Sequence, residues 1–326
     1  MMPAKENFRT RRRLLQQTAL AAGAAAFATR RGAAQTSEMP GWQHFFPSGF
    51  RNEHIKTSGA EINAVIGGSG PPVLMLHGAP QSLITWRLIA PDFAKEFTLV
   101  MCDLRGYGDS SKPADLPDHS SQSKRPMALD GVEVMEHLGH RQFSVVGHDR
   151  GGRVARRMAL DHPDRVRKLA VLDIVPAHYL YAHVTIDFVQ AYFHWFNYLR
   201  PAPGPENELK AANDALMAKA SSDVQREYLR TMCNIETIHA MCEDYRASAS
   251  IDLKNDQADI HAGKKIQCPL LALWAATGAM GKLYDVLGIW KEEGVSVDGK
   301  GLPGTHSLQE SAPRETLAEL QKFLRA

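Results

Sequence analysis

The chain has 326 residues, of which 44% are hydrophobic and 23% are charged, a composition typical of a globular protein with a large core. Its formal net charge of +2 is unevenly distributed, because residues 1–34 hold seven Lys or Arg and one Glu, and the remainder carries a net charge of −4. A mildly acidic remainder offers no basic surface for nucleic acid or for an anionic membrane.

The first 34 residues have the features of an export signal. Thr10-Arg11-Arg12-Arg13-Leu14-Leu15 resembles a twin-arginine motif, an alanine-rich apolar stretch follows over 18–28, and Gly32-Ala33-Ala34 supplies small residues for cleavage. We therefore expect a twin-arginine-type signal peptide over residues 1–34 and a mature protein in a bacterial periplasm. The apolar stretch is too short for a permanent span, so we expect no stable membrane anchor after signal removal.

Apolar runs alternate with helix-compatible segments along most of the remaining chain. This alternation predicts an α/β fold with a mostly parallel, doubly wound sheet, and an alternating segment over 61–66 favours an edge strand. Buried strands are predicted over 73–76, 98–102, 143–146, 168–172 and 269–274, and helices over 86–97, 128–138 and 317–324.

The alternation stops between about residues 177 and 262, where the sequence is helical and aromatic and lacks runs typical of buried strands. A helical insertion between two parallel strands is expected to cover the carboxyl ends of the strands, where such sheets bind ligands. We predict a core of residues 35–176 and 263–326 and a helical cap of residues 177–262.

The most informative motif is Gly147-His148-Asp149-Arg150-Gly151-Gly152, between the strand at 143–146 and a helix-compatible run. A strand, a tight glycine turn and a helix form the nucleophile elbow, usually written G-x-S-x-G, and here Asp149 replaces the serine. Asp149 as a simple helix N-cap is the alternative, but it leaves the flanking glycines unexplained. A carboxylate attacks saturated carbon by displacement and becomes an ester, which predicts a hydrolase that opens a carbon–halogen or epoxide C–O bond.

Residues from about 50 to 323 resemble the α/β-hydrolase superfamily and, within it, the fluoroacetate and haloacetate dehalogenases, which are close to the epoxide hydrolases. The resemblance is carried by the segments 103–108, 147–153, 158–164 and 193–195. It implies an α/β-hydrolase fold with an inserted helical cap. It also implies hydrolytic dehalogenation of small 2-halocarboxylic acids through a covalent aspartyl ester, with no cofactor and no metal.

Two arginines follow the elbow aspartate. We expect Arg150 and Arg153, one helical turn apart, to bind the substrate carboxylate and to keep Asp149 ionised. The next two basic residues, Arg156 and Arg157, are expected to form a solvated helix face. The resemblance places three further residues at the positions that bind the leaving halide, namely His194, Trp195 and Tyr245.

The ester must then be hydrolysed, and His306, between a strand and the last helix, is the expected base. The backbone N–H groups of Ala79 and Arg150 are the expected oxyanion hole. Many relatives place the acid that orients the histidine after the strand at 269–274, but residues 274–278 contain no carboxylate. We therefore expect Asp173 to orient His306, with Asp285 as the fallback.

Two departures from the resembled family concern the substrate. Ala79 stands where the family usually has an aromatic residue, and no tryptophan lies between Asn207 and Tyr228, the region that supplies a third halide donor in the dehalogenases. We expect these differences to weaken fluoride release and to enlarge the pocket beside Asp149.

Two other functions stay open from the sequence. An epoxide hydrolase would use the same Asp149, Asp173 and His306, with cap tyrosines protonating the epoxide oxygen; the candidates are Tyr245, Tyr181, Tyr192 and Tyr198. A catalytically silent ligand-binding protein of the same fold is the second alternative, although binding alone needs no such trio. The expected partner is a small-molecule substrate, and homodimer formation is left open.

Overall fold

One sheet of eight strands organises residues 41–326, the part of the chain that this computed structural model describes. The strands are β1 (Arg51–Lys56), β2 (Glu61–Gly67), β3 (Pro72–Leu76), β4 (Thr98–Cys102), β5 (Phe143–His148), β6 (Val166–Leu172), β7 (Leu270–Ala275) and β8 (Val297–Leu302). Their order is β1-β2-β4-β3-β5-β6-β7-β8, with β2 antiparallel to both of its neighbours and every other pair parallel. The predicted α/β fold is confirmed, while the predicted signal peptide lies outside the described residues.

The sequence-based prediction contains no strand at β1 and gives no bounds for β8, which is the strand expected before His306. In β1 only Ile55 is buried, and β8 contains Gly299 and Gly301 with Leu302 as its only buried residue. Edge strands of this kind lack the apolar run that identifies a buried strand. Because β1 pairs with β2, the segment beginning at Glu61 is an inner strand, and the prediction of an edge there is wrong.

Seven helices belong to the segments on either side of the predicted cap. They are α1 (Ala90–Phe93), α2 (Lys124–His137), α3 (Arg150–Asp161), α11 (Ala279–Leu283), α12 (Val286–Glu293), α13 (Leu308–Ser311) and α14 (Pro313–Arg325). The predicted helix over 86–97 is instead a 3-10 helix at Leu83–Trp86 followed by the short α1. Pro91 stands in the first turn of α1, and a proline without an N–H favours the start of a new helix over the continuation of an old one.

The chain between β6 and β7 is helical throughout. Its helices are α4 (Ala177–Ala182), α5 (Ile186–Ala191), α6 (Phe193–Asn197), α7 (Gly204–Met217), α8 (Asp223–Met232), α9 (Ile235–Ser248) and α10 (Ile251–His261). We call this segment the cap. The segment Pro201-Ala202-Pro203 lies between α6 and α7. None of the helices described here is both long enough and apolar enough to span a membrane.

Buried ion pairs join α3 to the cap. Arg156 Nη1 lies 2.7 Å from Asp256 Oδ1 of α10, and Arg157 Nη2 lies 2.6 Å from the same oxygen. Arg156 also pairs with Glu293 at 2.7 Å. The expectation of a solvated helix face is therefore wrong for both arginines, which are only 5% and 2% exposed. The sequence gives no sign of their partners, because these acids lie about 100 or more residues away along the chain.

Candidate active site

Asp149 occupies the sharp turn between β5 and α3. Its φ of 47° and ψ of −113° are unusual for a residue with a side chain, and strained backbone of this kind is found at active sites. The turn closes only because glycines flank it: a Cβ on Gly147 would lie 2.5 Å from the Gly151 carbonyl oxygen, and one on Gly151 would lie 2.3 Å from the Leu76 carbonyl oxygen. The strand, turn and helix that define a nucleophile elbow are all present.

His306 and Asp173 lie beside this carboxylate. His306 Nδ1 donates to Asp173 Oδ2 at 2.6 Å, and its Nε2 faces Asp149 Oδ2 at 3.7 Å. Asp173 follows β6 and also accepts the Ala275 backbone N–H at 2.8 Å. The fallback acid, Asp285, is instead the N-cap of α12. The structure thus places Asp173 as the partner of His306, with the other imidazole nitrogen directed toward Asp149.

The charges of neighbouring groups shift the pKa values of His306 and Asp149. Burial lowers the pKa of His306, but the two neighbouring carboxylates outweigh it and raise the pKa to about 10. Burial raises the pKa of Asp149, whereas its contacts with His306 and the charge of Arg153 hold that pKa well below the ordinary value. The resting site therefore contains an ionised Asp149 and a protonated His306 at neutral pH.

Backbone groups from the loop after β3 complete the surroundings of Asp149. The Ala79 N–H donates to Asp149 Oδ1 at 3.1 Å, which is the position expected for an oxyanion-hole donor. The loop approaches so closely that a Cβ on Gly78 would lie 2.6 Å from the Asp149 Cβ. Arg150, the first residue of α3, follows Asp149 directly, and the role of its backbone N–H stays a prediction.

Arg153 and Arg150 differ in how far their side chains are already occupied. Arg153 Nη1 lies 3.4 Å from Asp149 Oδ2, and its Nε is buried without a hydrogen-bond partner among residues 41–326. Arg150 is fully buried, and its Nε and Nη2 donate to Asp244 of α9, leaving Nη1 without a partner in the described structure. Of the two arginines expected to bind the substrate carboxylate, Arg150 thus keeps one side-chain donor without a partner in the described structure.

Asp244 is a site residue that the sequence did not reveal. Its carboxylate accepts from Arg150, Lys124 and the Tyr107 hydroxyl, and it is 0% exposed. Burial raises the pKa of Asp244, but the cations Arg150 and Lys124 outweigh it and lower the pKa to about 2. In the sequence, an aspartate in a cap helix cannot be distinguished from a solvent-exposed one. The only sequence feature that pointed to Asp244 was its position directly before Tyr245.

A cavity of about 370 Å³ opens at Asp149. All three predicted halide-binding side chains line it, together with residues from the core loops and the cap; the lining residues are Ala79, Pro80, Asp149, Tyr192, His194, Trp195, Tyr198, Met241, Tyr245 and His306. The aromatic rings pack edge to face, with the Trp195 and Tyr245 centroids 5.7 Å apart. The Arg150 guanidinium lies 4.2 Å from the Tyr245 ring centroid, and that of Arg153 lies 4.7 Å from Trp195.

His148, the residue before the nucleophile, supports the loop that carries His306. Its Nε2 donates to the His306 carbonyl oxygen at 2.9 Å, and its Nδ1 accepts from Gln309 at 3.2 Å. Burial lowers the pKa of His148 to about 3, so the ring is neutral and keeps this one donor and one acceptor. The residue before the nucleophile thereby fixes the backbone of the predicted base.

One cluster has the side chains of a metal site. Asp115, His239 and Glu243 bring possible ligand atoms within 4.8 Å of one another, and none of the three lines the cavity at Asp149. Its ligand atoms are already paired within the protein: His239 lies between Asp115 and Glu206, and Arg246 contacts Glu243 at 2.7 Å. The cluster therefore fits an ion-pair network between the cap and the 113–119 loop, and we assign it no catalytic part.

Comparison with known proteins identifies the family of this chain. A family model described as the alpha/beta hydrolase fold matches residues 71–292. A protein of Burkholderia sp. named fluoroacetate dehalogenase is 40% identical over 288 residues, which covers 85% of this chain and 94% of that protein. The chain belongs to the α/β-hydrolase family. It is a hydrolase, as the resemblance in its sequence predicted.

Other relatives are named epoxide hydrolases. A soluble epoxide hydrolase of Corynebacterium sp. (strain C12) is 44% identical over 119 residues, covering 36% of this chain and 40% of that protein. Among solved structures, one from Nostoc sp. PCC 7120 assigned to the alpha/beta hydrolases has a TM-score of 0.81 and 47% identity, covering 84% of this chain and 98% of that one. One from Pseudomonas aeruginosa assigned as an epoxide hydrolase has a TM-score of 0.78 and 36% identity, with 86% and 97% covered.

Proposed function

We propose that the protein is a hydrolytic dehalogenase of small 2-halocarboxylic acids that works through a covalent ester on Asp149. One observation carries the proposal: the ionised nucleophile lies beside a histidine–aspartate pair, and the buried Arg150 and Arg153 that follow it each have one side-chain N–H without a partner among residues 41–326. The free donors, Arg150 Nη1 and Arg153 Nε, match the needs of an anionic substrate, because a buried guanidinium donor without a partner is costly.

In the first step the substrate carboxylate binds these donors, which orients its α-carbon toward Asp149. The Oδ1 atom is engaged by the Ala79 N–H, so Oδ2 attacks the α-carbon and forms a C–O bond. The halide leaves with the electron pair of the carbon–halogen bond. His194, Trp195 and Tyr245 line the cavity and supply the N–H and O–H donors that stabilise it.

The second step depends on the change of charge that the first step produces. The carboxylates raise the pKa of His306 to about 10, and esterification removes the charge of Asp149, so this pKa falls in the intermediate. His306 then releases its proton to solvent and becomes a base. It deprotonates a water that attacks the Asp149 carboxyl carbon, while the Ala79 N–H stabilises the oxyanion and Asp173 stabilises the imidazolium. The bond between the carboxyl carbon and the substrate oxygen then breaks, and the 2-hydroxy acid leaves with the imidazolium proton. The Asp149 carboxyl group returns its own proton to His306, which restores the resting site.

Epoxide hydrolysis is the second candidate, since it needs the same nucleophile and base. Its support is the presence of three tyrosines, Tyr192, Tyr198 and Tyr245, in the lining of the cavity, where a hydroxyl could protonate an epoxide oxygen. A neutral epoxide offers these arginine donors no negative charge, and this difference favours the haloacid.

The test is halide release from chloroacetate, bromoacetate and fluoroacetate, measured beside diol formation from styrene oxide. We expect halide release from the anionic substrates, with fluoride slowest because that leaving group depends most on hydrogen bonds. Diol formation without halide release would contradict the proposal and assign the cavity to epoxide hydrolysis. The Asp149→Ala variant is the matched blank for both reactions.

A further inference from the structure

The side chain of Ala79 borders the point of attack. Its backbone N–H lies 3.1 Å from Asp149 Oδ1, and Ala79 and Asp149 line the same cavity, which is where the substrate α-carbon must bind. Ala79 is partly buried and lines the cavity together with Pro80 and the buried Met241. These three side chains form a nonpolar part of the lining that the proposed chemistry does not use.

The cavity is larger than a haloacetate requires. A haloacetate has about five heavy atoms, and each water-sized group takes up roughly 30 Å³ in a liquid, which accounts for less than half of the 370 Å³. Cavities above roughly 300 Å³ hold ligands of drug-like size. Room is therefore left beside the reacting carbon.

The four substituents of the α-carbon indicate which part of the cavity a haloacetate leaves unfilled. The carboxylate is directed to Arg150 and Arg153, the halide to the donors on α6 and α9, and Asp149 attacks opposite the halide. Two hydrogens remain on the α-carbon of a haloacetate, and the lining left for them consists of Ala79, Pro80 and Met241 with two tyrosine rings, those of Tyr192 and Tyr198. An alkyl group in place of one hydrogen would contact nonpolar surface.

We propose that the enzyme accepts 2-haloacids bearing a short α-alkyl group, and that the space beside Ala79 binds this group. The proposal rests on the dehalogenase function proposed above and specifies its substrate class. Asp149 forms the C–O bond as the halide departs with its electron pair, so the configuration at the α-carbon inverts. Water then attacks the carboxyl carbon of the ester, and the product is the 2-hydroxy acid of inverted configuration.

The experiment compares kcat/KM for halide release from chloroacetate and from each enantiomer of 2-chlorobutanoate. Displacement at a substituted carbon is intrinsically slower than at an unsubstituted one. The informative quantity is therefore a ratio, namely kcat/KM for the reacting enantiomer of 2-chlorobutanoate divided by kcat/KM for chloroacetate. We expect the native enzyme to turn over one enantiomer, and Ala79→Phe to lower the ratio by roughly 10–200-fold, the range found when a hydrophobic pocket loses room for a methylene. The ratio does not depend on the fraction of folded enzyme, and Ala79→Leu should give an intermediate value.

The matched control is Ala212→Phe, which adds the same ring to an exposed position of α7 and should leave the ratio and the activity as in the native enzyme. Halide from chloroacetate with none from either enantiomer would overturn this inference and keep the dehalogenase. A ratio unaffected by Ala79→Phe would also overturn it. Failure of every acid, with Asp149 intact, would overturn the proposed function and this inference together.

Discussion

The active site has two sides that are built in different ways. On the sheet side, Asp149 and Asp173 each follow a parallel strand, and backbone hydrogen bonds fix the start of both turns: the Asp149 N–H donates to the Leu172 carbonyl at 3.3 Å and that of Asp173 to Leu273 at 2.7 Å. On the cap side, Trp195 and Tyr245 come from two separate helices and are held by aromatic and cation–π contacts.

This difference separates chemistry from selectivity. A position set by backbone geometry tolerates little variation, because a nucleophile and its base need alignment within a fraction of an ångström. A position set by side-chain packing can be changed by substitution without loss of the fold. We therefore expect variants on the sheet side to abolish steps of the reaction, and variants on the cap side or at the arginines to change which substrates react.

The largest effect is expected at the nucleophile. Asp149→Ala should lower kcat by at least about 10⁴-fold, the scale seen when a catalytic nucleophile is removed, because alanine cannot form the ester. Asp149→Asn keeps the shape of the side chain and should retain substrate binding. Steady-state halide release and isothermal titration measure these effects, and full activity of Asp149→Ala would disprove the covalent mechanism.

Loss of the base should separate the two steps. His306→Gln removes the proton acceptor for ester hydrolysis, and general-base catalysis contributes about 10²–10⁴-fold. We expect a burst of roughly one halide per active site followed by very slow turnover, with a carboxymethyl adduct on Asp149 in mass spectrometry. The native enzyme is the control, and an absent burst together with slow halide release would assign His306 to the first step.

Away from the reacting groups, the ion pairs between α3 and α10 should affect stability more than chemistry. Arg156→Met leaves Asp256 and Glu293 with fewer cationic partners, and breaking a buried pair costs about 3–5 kcal/mol. Thermal unfolding should show a clear fall in Tm. Arg125→Met, at an arginine that is 51% exposed, is the control and should change Tm little, since exposed pairs contribute about 0–1 kcal/mol.

At Arg153 the expected effect is on substrate binding. Arg153→Met removes a donor to the substrate carboxylate, and a hydrogen bond to a charged group contributes about 1.5–3 kcal/mol. We expect KM for chloroacetate to rise by roughly tenfold to a hundredfold, with a smaller change for neutral chloroacetamide. An equal rise in KM for chloroacetate and for chloroacetamide would show that Arg153 acts only on Asp149 and does not bind the substrate carboxylate.

The smallest expected effect is a difference between two pH profiles. The pKa of His306 is about 10 with Asp149 ionised and must be lower in the ester, so acid protonates the intermediate and blocks only the second step. Quenched-flow measurements should show a halide burst that persists at low pH, where steady-state turnover has already declined. A parallel loss of burst and turnover would contradict this coupling.

The difference between the sheet side and the cap side also explains which features could be predicted from the sequence. The elbow at Asp149 was recognisable because glycines next to a strand have few other uses, and His306 and Asp173 follow from their place after strands. The partners of Arg150, Arg156 and Arg157 were not recognisable, because a helical sequence does not show which distant acid packs against it. Strand β1 was missed, and the bounds of β8 were not recognisable, for a related reason, since edge strands are polar and lack a buried run.

A single turnover in H₂¹⁸O tests the central claim most directly. With enzyme in excess over chloroacetate, the ester mechanism predicts that the label enters the Asp149 carboxylate and that the first glycolate formed contains oxygen from the enzyme. Peptide mass spectrometry locates the label. Direct transfer of ¹⁸O to glycolate in the first turnover, with an unlabelled Asp149, would contradict the ester and show that water attacks the substrate itself.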